Sequence, residues 1–356
     1  MRTWDATGEG IDVAVVFAGG NALGAYHMGA AERLAQAGLR PGWFVGTSIG
    51  AITAAILVGN TAEDGPKRLR AFWDLAMQRE LPLPGMPNAW RARINTDFAL
   101  AALLLGRPGL FGARYPGLWS LLPGMPGDVA IRDHWPLART LERLIDFGRL
   151  NGGEVRCSFC TMDIERGEEV WFENGTDEIR AEHLLAATAL APLFPPIEIG
   201  GRLLGDAGFG NNLPVDRVFR EEPARDTLCI AVDLYNAAHG RPSTLDQTVA
   251  RVQDIAFSVQ ARRGIEAVRR ERELLRRFVP ESPSVALGHL ALRPPGHQRT
   301  LKPLDFSRAS LEERARQGRD DAGLVLQRLA ETPRGGAFAY VTAEASVAEA
   351  PEAGVA

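Results

Sequence analysis

Two periods of hydrophobic and polar positions run along this chain. "IDVAVVFAGG", residues 11–20, is a β-rich apolar run ending in glycines, the pattern of a buried strand. "ALGAYHMGAAERLAQAGL" then sets Ala22, Ala25, Tyr26, Gly29, Ala30, Leu34 and Ala37 at helical spacing until Gly38 stops it. "WFVG" predicts a second short strand, the stretch around Ser48 a turn, and "AITAAILVG" a helix buried on most sides. Two strand-turn-helix units in succession indicate an α/β fold, a parallel sheet with helices on its faces.

Helical patterning returns at "GPKRLRAFWDLAMQ", and residues 81–135 then change character. Prolines, glycines, leucines and aromatics crowd "LPLPGMPNAW" and "FALAALLLGRPGLFGARYPGLWSLLPGMPG", which predicts an irregular apolar insertion. It reads equally as a large packed loop and as a lid or lipid-docking surface. After a helix around "LARTLERLI", strands are expected at 154–163 and 168–173, separated by Gly167 and closed by the Asn174-Gly175 turn. A helix over "EIRAEHLLAATAL" leads to a hairpin at Gly200-Gly201. "TLCIAVDLYN" is a further buried strand, followed by two long charged helices at about 246–277 and 309–330, whose charges read as solvated faces with i, i+4 pairs. The small-residue tail from about 332 is expected to be poorly ordered.

Composition narrows the class. The chain has 356 residues, 46% hydrophobic and 24% charged, the profile of a soluble globular protein. A formal net charge of -4 lacks the basic surplus of a nucleic-acid binder. "MRTWDATGEGID" has no apolar core of a secretory signal, and "FALAALLL" falls far short of the ~18 residues of a membrane span. Cys157, Cys160 and Cys229 are too few for a disulfide framework, which points to a reducing cytoplasm, with peripheral contact at the inner membrane face left open. Cys157 and Cys160 form C-x-x-C, but in a strand that spacing sets the thiols on opposite faces, so they read as small buried hydrophobes rather than metal ligands.

Candidate chemistry sits in Gly46-Thr47-Ser48-Ile49-Gly50, a G-x-S-x-G turn between strand and helix. A serine hydroxyl is a poor nucleophile, so an enzyme must expose it, remove its proton and stabilise the resulting oxyanion. On a sharp bend the serine takes a strained backbone position, and flanking glycines let strand and helix approach. Gly46 and Gly50 thus make Ser48 protrude near the positive end of a helix dipole. Gly19 and Gly20, after the first strand and before a helix, have N–H groups free to face an oxyanion. The rival reading of that turn is nucleotide binding, but Asn21 stands where a dinucleotide fingerprint ending at Gly24 needs its middle glycine, and no Lys-Ser/Thr follows as in a P-loop. Asp206, framed by Gly205 and Gly208, is the candidate base, although local chemistry alone favours an ordinary turn aspartate. Asn211 and Asn212 are placed to hydrogen-bond the loop after it.

In order and spacing, "AGGNALGAYHMGAAERLAQAGL", "GTSIGA" and "FPPIEIGGRLLGDAGFGNNLPVD" resemble the glycine-rich segment, nucleophile elbow and Asp-Gly-Gly/Ala segment of the patatin-like phospholipases. The resemblance covers roughly residues 11–235, and "FSRASLEERARQGRDDA" is similar to a C-terminal segment of one bacterial subgroup. It implies a three-layer α/β/α fold with a mostly parallel sheet, a Ser-Asp dyad, and cleavage of lipid acyl esters with no metal or cofactor. By that resemblance Ser48 is the nucleophile, Asp206 the base, and Gly19, Gly20 and the Asn21 amide the oxyanion hole, with Gly208 and Asn212 supporting the acid. Two residues depart from the family pattern: Asn21 replaces its third glycine, and Leu23 stands where a basic residue is common. Asn tolerates left-handed backbone angles better than most residues, whereas Leu23 removes a positive charge.

The expected division is an acyl hydrolase domain at 11–235 containing the 81–135 insertion, a helical extension at 236–330, and a disordered tail at 331–356. The expected activity is of phospholipase A or lysophospholipase type on a phospholipid or other lipid ester. The alternatives are a short-chain carboxylesterase and a catalytically weak homologue that binds lipid or protein. A complete triad would draw its histidine from His239, His289 or His297, with His239 best placed. His27, one turn into the first helix, reads as structural. Asp163 and Asp233 end strands but lie in no motif.

Overall fold

The computed structural model describes residues 3–4, 10–78, 87–221, 223–237 and 241–344. β1 (Asp12–Phe17) is buried at every position after its first. Successive strand side chains point to opposite faces, so both faces of the sheet are covered here. A 3-10 turn at Asn21–Gly24 leads into α1 (Ala25–Gln36). That helix stops at Gly38 as the sequence indicates: the glycine takes φ 79°, and the amides of Gly38 and Leu39 bond back to Ala35 and Leu34 at 3.0 and 3.1 Å, satisfying carbonyls that the helix end leaves open. β2 (Trp43–Thr47), α2 (Ile49–Val58) and α3 (Asp64–Ala76) follow.

The insertion is more regular than its composition predicts. Residues 79–86 lie outside the described residues, but α4 (Asn88–Leu105) fills much of the remainder. Its buried positions Ala92, Asn95, Ala99 and Ala102 recur at helical spacing, yet they are small or polar, so a search for bulky apolar periodicity passes over them. The bulky Leu100, Leu104 and Leu105 face outward instead. Two short strands, β3 (Gly112–Ala113) and β4 (Arg132–Asp133), pair across the rest of the insertion, and α5 (Trp135–Leu144) and α6 (Phe147–Asn151) return the chain to the sheet.

β5 (Arg156–Asp163) and β6 (Glu168–Glu173) are the two expected strands, and they pair antiparallel. After α7 (Ala181–Ala187), β7 (Ile197–Ile199) and β8 (Arg202–Asp206) are joined through Gly200 and Gly201 at φ 59° and 74°, the paired positive angles of a type I′ hairpin turn. α8 (Val215–Phe219) precedes β9 (Thr227–Asp233), buried throughout.

The C-terminal third corrects two expectations. α9 (Leu245–Phe278) and α10 (Arg308–Glu331) are the predicted long helices, but β10 (Val285–Ala291) lies between them and pairs parallel to β9. The segment 236–330 therefore continues the sheet rather than forming a purely helical extension. β10 is inconspicuous in sequence because Gly288 interrupts it, where a Cβ would come within 2.8 Å of Val325 and 2.9 Å of Ile230; such a glycine marks close packing on a strand. The tail carries β11 (Phe338–Thr342), parallel to β10, so the expected disorder from 331 is corrected over those residues, while 345–356 lie outside the described ones.

The sheet runs β11-β10-β9-β1-β2-β5-β8-β7, with β6 on the other edge of β5. The strands from β11 to β5 are parallel, and β6 and β8 run antiparallel to β5. β6 occupies one edge of β5 from Ser158 to Asp163, so β2, paired through Cys160, and β8, paired from Thr161, must share the opposite edge end to end. β1 has β2 on one side and β9 on the other, and such reversals of strand order open a crevice at the strands' carboxyl ends. No helix among the described residues is long and apolar enough to cross a membrane.

Candidate active site

Ser48 stands between the last residue of β2 and the first of α2 at φ 56°, ψ -125°. Only it and Asn21, at φ 51°, are non-glycine residues with positive φ among those described. Such conformations cost on the order of 1–3 kcal/mol and persist only where the surroundings impose them. The glycines around Ser48 impose them by proximity. A Cβ on Gly46 would lie 2.3 Å from the Gly50 carbonyl oxygen, and one on Gly50 would lie 2.2 Å from that of Phe17. Strand, helix and β1 thus touch through backbone, and Ser48 is forced into the bend at the N-terminus of α2.

The end-to-end strands explain how Asp206 reaches that bend. Thr47 ends β2 opposite Cys160, and Asp206 ends β8 opposite Thr161. Two chains running toward each other along one edge of β5 therefore finish one residue apart. The Ser48 side chain stands beside the Asp206 carboxyl and favours its ionised form, and the Gly208 N–H donates to Asp206 Oδ1 at 2.8 Å. Burial pushes the Asp206 carboxyl up to about 6, against the opposing pull of Ser48 and the Gly208 amide.

At the glycine turn the structure departs from one expectation. The Gly19 N–H already donates to the Asn212 carbonyl at 3.1 Å, and Asn212 Nδ2 donates back to the Gly19 carbonyl at 3.2 Å. This double bond pair ties the turn to the loop after Asp206 and occupies the amide expected to face an oxyanion. The Gly20 and Asn21 amides have no acceptor among the described residues. Asn21 adopts the left-handed angle that a glycine would supply there. Leu23 is fully buried, but the buried Arg314 of α10 donates to the Ala22 carbonyl at 3.0 Å, so a guanidinium reaches this turn from the far end of the chain. Asn211 points elsewhere, its Nδ2 donating to Glu169 at 3.1 Å.

Ser48 and Asp206 open onto a cavity of about 510 Å³. Its walls come from α3 (Phe72, Trp73), the insertion (Phe111), the loop after α7 (Phe194), α9 (Val249) and the segment before α10 (Phe306). Apart from Asp206, no lysine, arginine or carboxylate lines it among the described residues. Phe209, Phe257 and Tyr235 stack in sequence beside Asp206, with ring centroids 5.8 and 4.5 Å apart. The sequence held no local signal for this wall, since each contributor is an ordinary apolar residue on a separate element.

Among the described residues, no triad histidine joins the pair. His289 contacts Asp233 and Tyr340 at 3.4 and 2.8 Å, His297 contacts Glu313 at 3.3 Å, and neither lines the cavity; His239 lies outside the described residues. His27 is buried against Phe17, and desolvation holds its imidazole down to about 3 and neutral. His134, which the sequence did not single out, does line the cavity, but its Nε2 bonds the Leu185 carbonyl at 3.0 Å and its ring packs on Phe194. Asp163 is held by Arg202 and Arg166 at 2.7 and 3.1 Å, away from the site. Cys157, Cys160 and Cys229 are free and buried, and burial pushes the Cys157 thiol up to about 12.

A family model described as patatin-like phospholipase matches residues 15–219, more than half of the chain. No curated protein matches the sequence. Among solved structures, VipD from Legionella pneumophila is similar at TM-score 0.40 and 14% identity, over 90% of this chain and 67% of that one. The type III effector ExoU is similar at 0.35 and 16%, over 90% of this chain and 53% of that one. The ExoU-SpcU complex of the Pseudomonas aeruginosa type III secretion system is similar at 0.38 and 13%, over 90% of this chain and 52% of that one. The chain thus spans about two thirds of the first and about half of the others.

Proposed function

The chain belongs to the patatin-like phospholipase family, and from that premise we propose that it is a serine acyl hydrolase of lipid esters that works through Ser48 and Asp206. The observation that carries this reading is the strained Ser48 beside a carboxyl raised to about 6, both lining one apolar cavity. Ser48 Oγ attacks the ester carbonyl while Asp206 takes its proton, and the Gly20 and Asn21 amides hold the oxyanion. Collapse of the tetrahedral intermediate breaks the bond to the alcohol, which leaves with the proton from Asp206. Water then attacks the acyl-serine, giving a proton to Asp206, and release of the fatty acid returns that proton to Ser48.

The cavity volume and its aromatic walls favour a long acyl chain over the short-chain esterase reading, because buried chain length converts to binding at about 0.8 kcal/mol per methylene. The left-handed Asn21 favours a working oxyanion site over a catalytically weak one. Phe209, Val249 and Val252 both line the cavity and stand 66%, 47% and 62% exposed, which supports a rim that meets a lipid surface peripherally. Ser48→Ala tests the mechanism directly. It is expected to lower hydrolysis of a long-chain p-nitrophenyl ester by at least about 10³-fold and to abolish labelling by a fluorophosphonate. Full activity in the folded variant would remove the proposal.

A further inference from the structure

A second cavity, of about 160 Å³, lies across a wall from the first. The wall is the start of α9 and the segment around residue 300. Val249, Val252, Thr300 and Leu301 face the acyl cavity, whereas Ala250, Arg251, Arg299 and Lys302 face the second one. The chemistry on the two sides is opposite. The acyl cavity has no cationic side chain among the described residues, and the second has Arg241, Arg251, Arg299 and Lys302 against the single carboxylate of Asp254.

The pairing of these cations leaves charge unspent. Lys302 is bonded to Asp254, and Arg299 Nε stands 3.7 Å from Asp246. Arg251 donates to the carbonyls of Asn236 and Ala237, and among the described residues Arg251 has no carboxylate partner and Arg241 no partner. Gln298 points independently to an acceptor in this cavity. It is 8% exposed and lines the cavity, its Oε1 accepts from Arg314 at 3.4 Å, and its Nε2 is buried with no partner. Buried donors are normally satisfied. Guanidinia and an amide N–H beside the N-terminus of a long helix form a donor-rich pocket for an oxyanion, and planar guanidinia match a phosphate bidentately.

We infer that this second cavity binds a phosphate group, presented either by a lipid headgroup at the mouth of the acyl cavity or by a free phosphate. The acyl cavity offers a phosphate no cationic side chain among the described residues, so a phospholipid would place its chain on one side of the wall and its charge on the other.

Titration calorimetry of the full chain with inorganic phosphate tests this without turnover, so the result stands apart from whether Ser48 is catalytic. Wild-type protein is expected to show saturable binding at millimolar phosphate, weakened about tenfold or more in Arg241→Gln/Arg251→Gln. Gln298→Leu provides a second variant should the first fail to fold. Kinetics then identify the source. A rise in KM for a lysophospholipid but not for a monoacylglycerol of the same chain marks the headgroup, and equal response of both substrates to added phosphate marks the free ion. Absence of saturable binding to the wild type, or binding unchanged in both variants, overturns the inference.

Discussion

Asp206 sets the pH behaviour of the proposed site. Its carboxyl is raised to about 6 by burial, and a base must be ionised to accept the Ser48 proton. kcat/KM is therefore expected to climb with pH through about 6 and then level off, and a profile already flat from pH 4 would count against Asp206 as the base. The stability effect has the opposite sense. The folded state holds this proton more tightly than the unfolded chain, so ionisation between about 4 and 6 works against folding. Asp206→Asn should accordingly raise Tm at pH 8 while leaving it little changed at pH 4. Asn21 permits a second test at this scale. Asn21→Gly should retain activity because glycine adopts φ 51° freely, whereas Asn21→Val should lose about 1–2 kcal/mol in denaturant titration. The serine bend of Gly46, Ser48 and Gly50 was legible in the sequence because it has a local backbone requirement, whereas Asp206 was singled out only by the family resemblance, since an aspartate in a glycine-rich turn reads locally as an ordinary turn residue. The occupation of the Gly19 amide was not legible, since its acceptor Asn212 is 193 positions away.

Elements with a bulky apolar stripe or a defined turn were legible for the same reason: β1, α1 with its glycine stop, the β7-β8 hairpin and the two long helices. α4 and β10 were not, because small residues or an interrupting glycine carry their packing, and β11 was not because its five residues sit in a tail otherwise rich in small residues. The crossing of α1 and α10 is the clearest case of packing through small residues. A Cβ on Gly29 would fall 1.7 Å from the Ala315 carbonyl oxygen, and one on Gly318 would fall 2.1 Å from that of Tyr26. These helices meet backbone to backbone, and Tyr26 donates to Asp321 across the contact at 2.7 Å. Gly318→Val should force the pair apart and cost about 3 kcal/mol or more, read as a lowered Tm with unchanged helix content in the residual fold.

At the scale of the whole molecule, the C-terminal third is part of the site rather than an appendage to it. Arg314 is fully buried and bonds the carbonyls of Ala22, Asp305 and Lys302 at 3.0, 3.0 and 3.1 Å, linking the glycine turn to the wall of the acyl cavity. A chain ending at residue 235 would uncover the β10 edge of β9 and the α10 face of α1. It is expected to elute as aggregate in gel filtration and to lack activity; a soluble, active fragment would contradict this. Val252→Asp on the cavity rim should weaken vesicle binding and micellar turnover but spare a soluble ester. The sequence by itself determined the strand-turn-helix units, the serine bend and the two charged helices, because backbone angles, capping and short-range periodicity are properties of neighbouring residues. Only the tertiary structure decided that β2 and β8 meet end to end on β5, that the second half of the chain roofs the cavity, and which glycine-turn amides remain free. Those outcomes depend on register and packing between segments far apart in the chain, where no local pattern of residues carries the information.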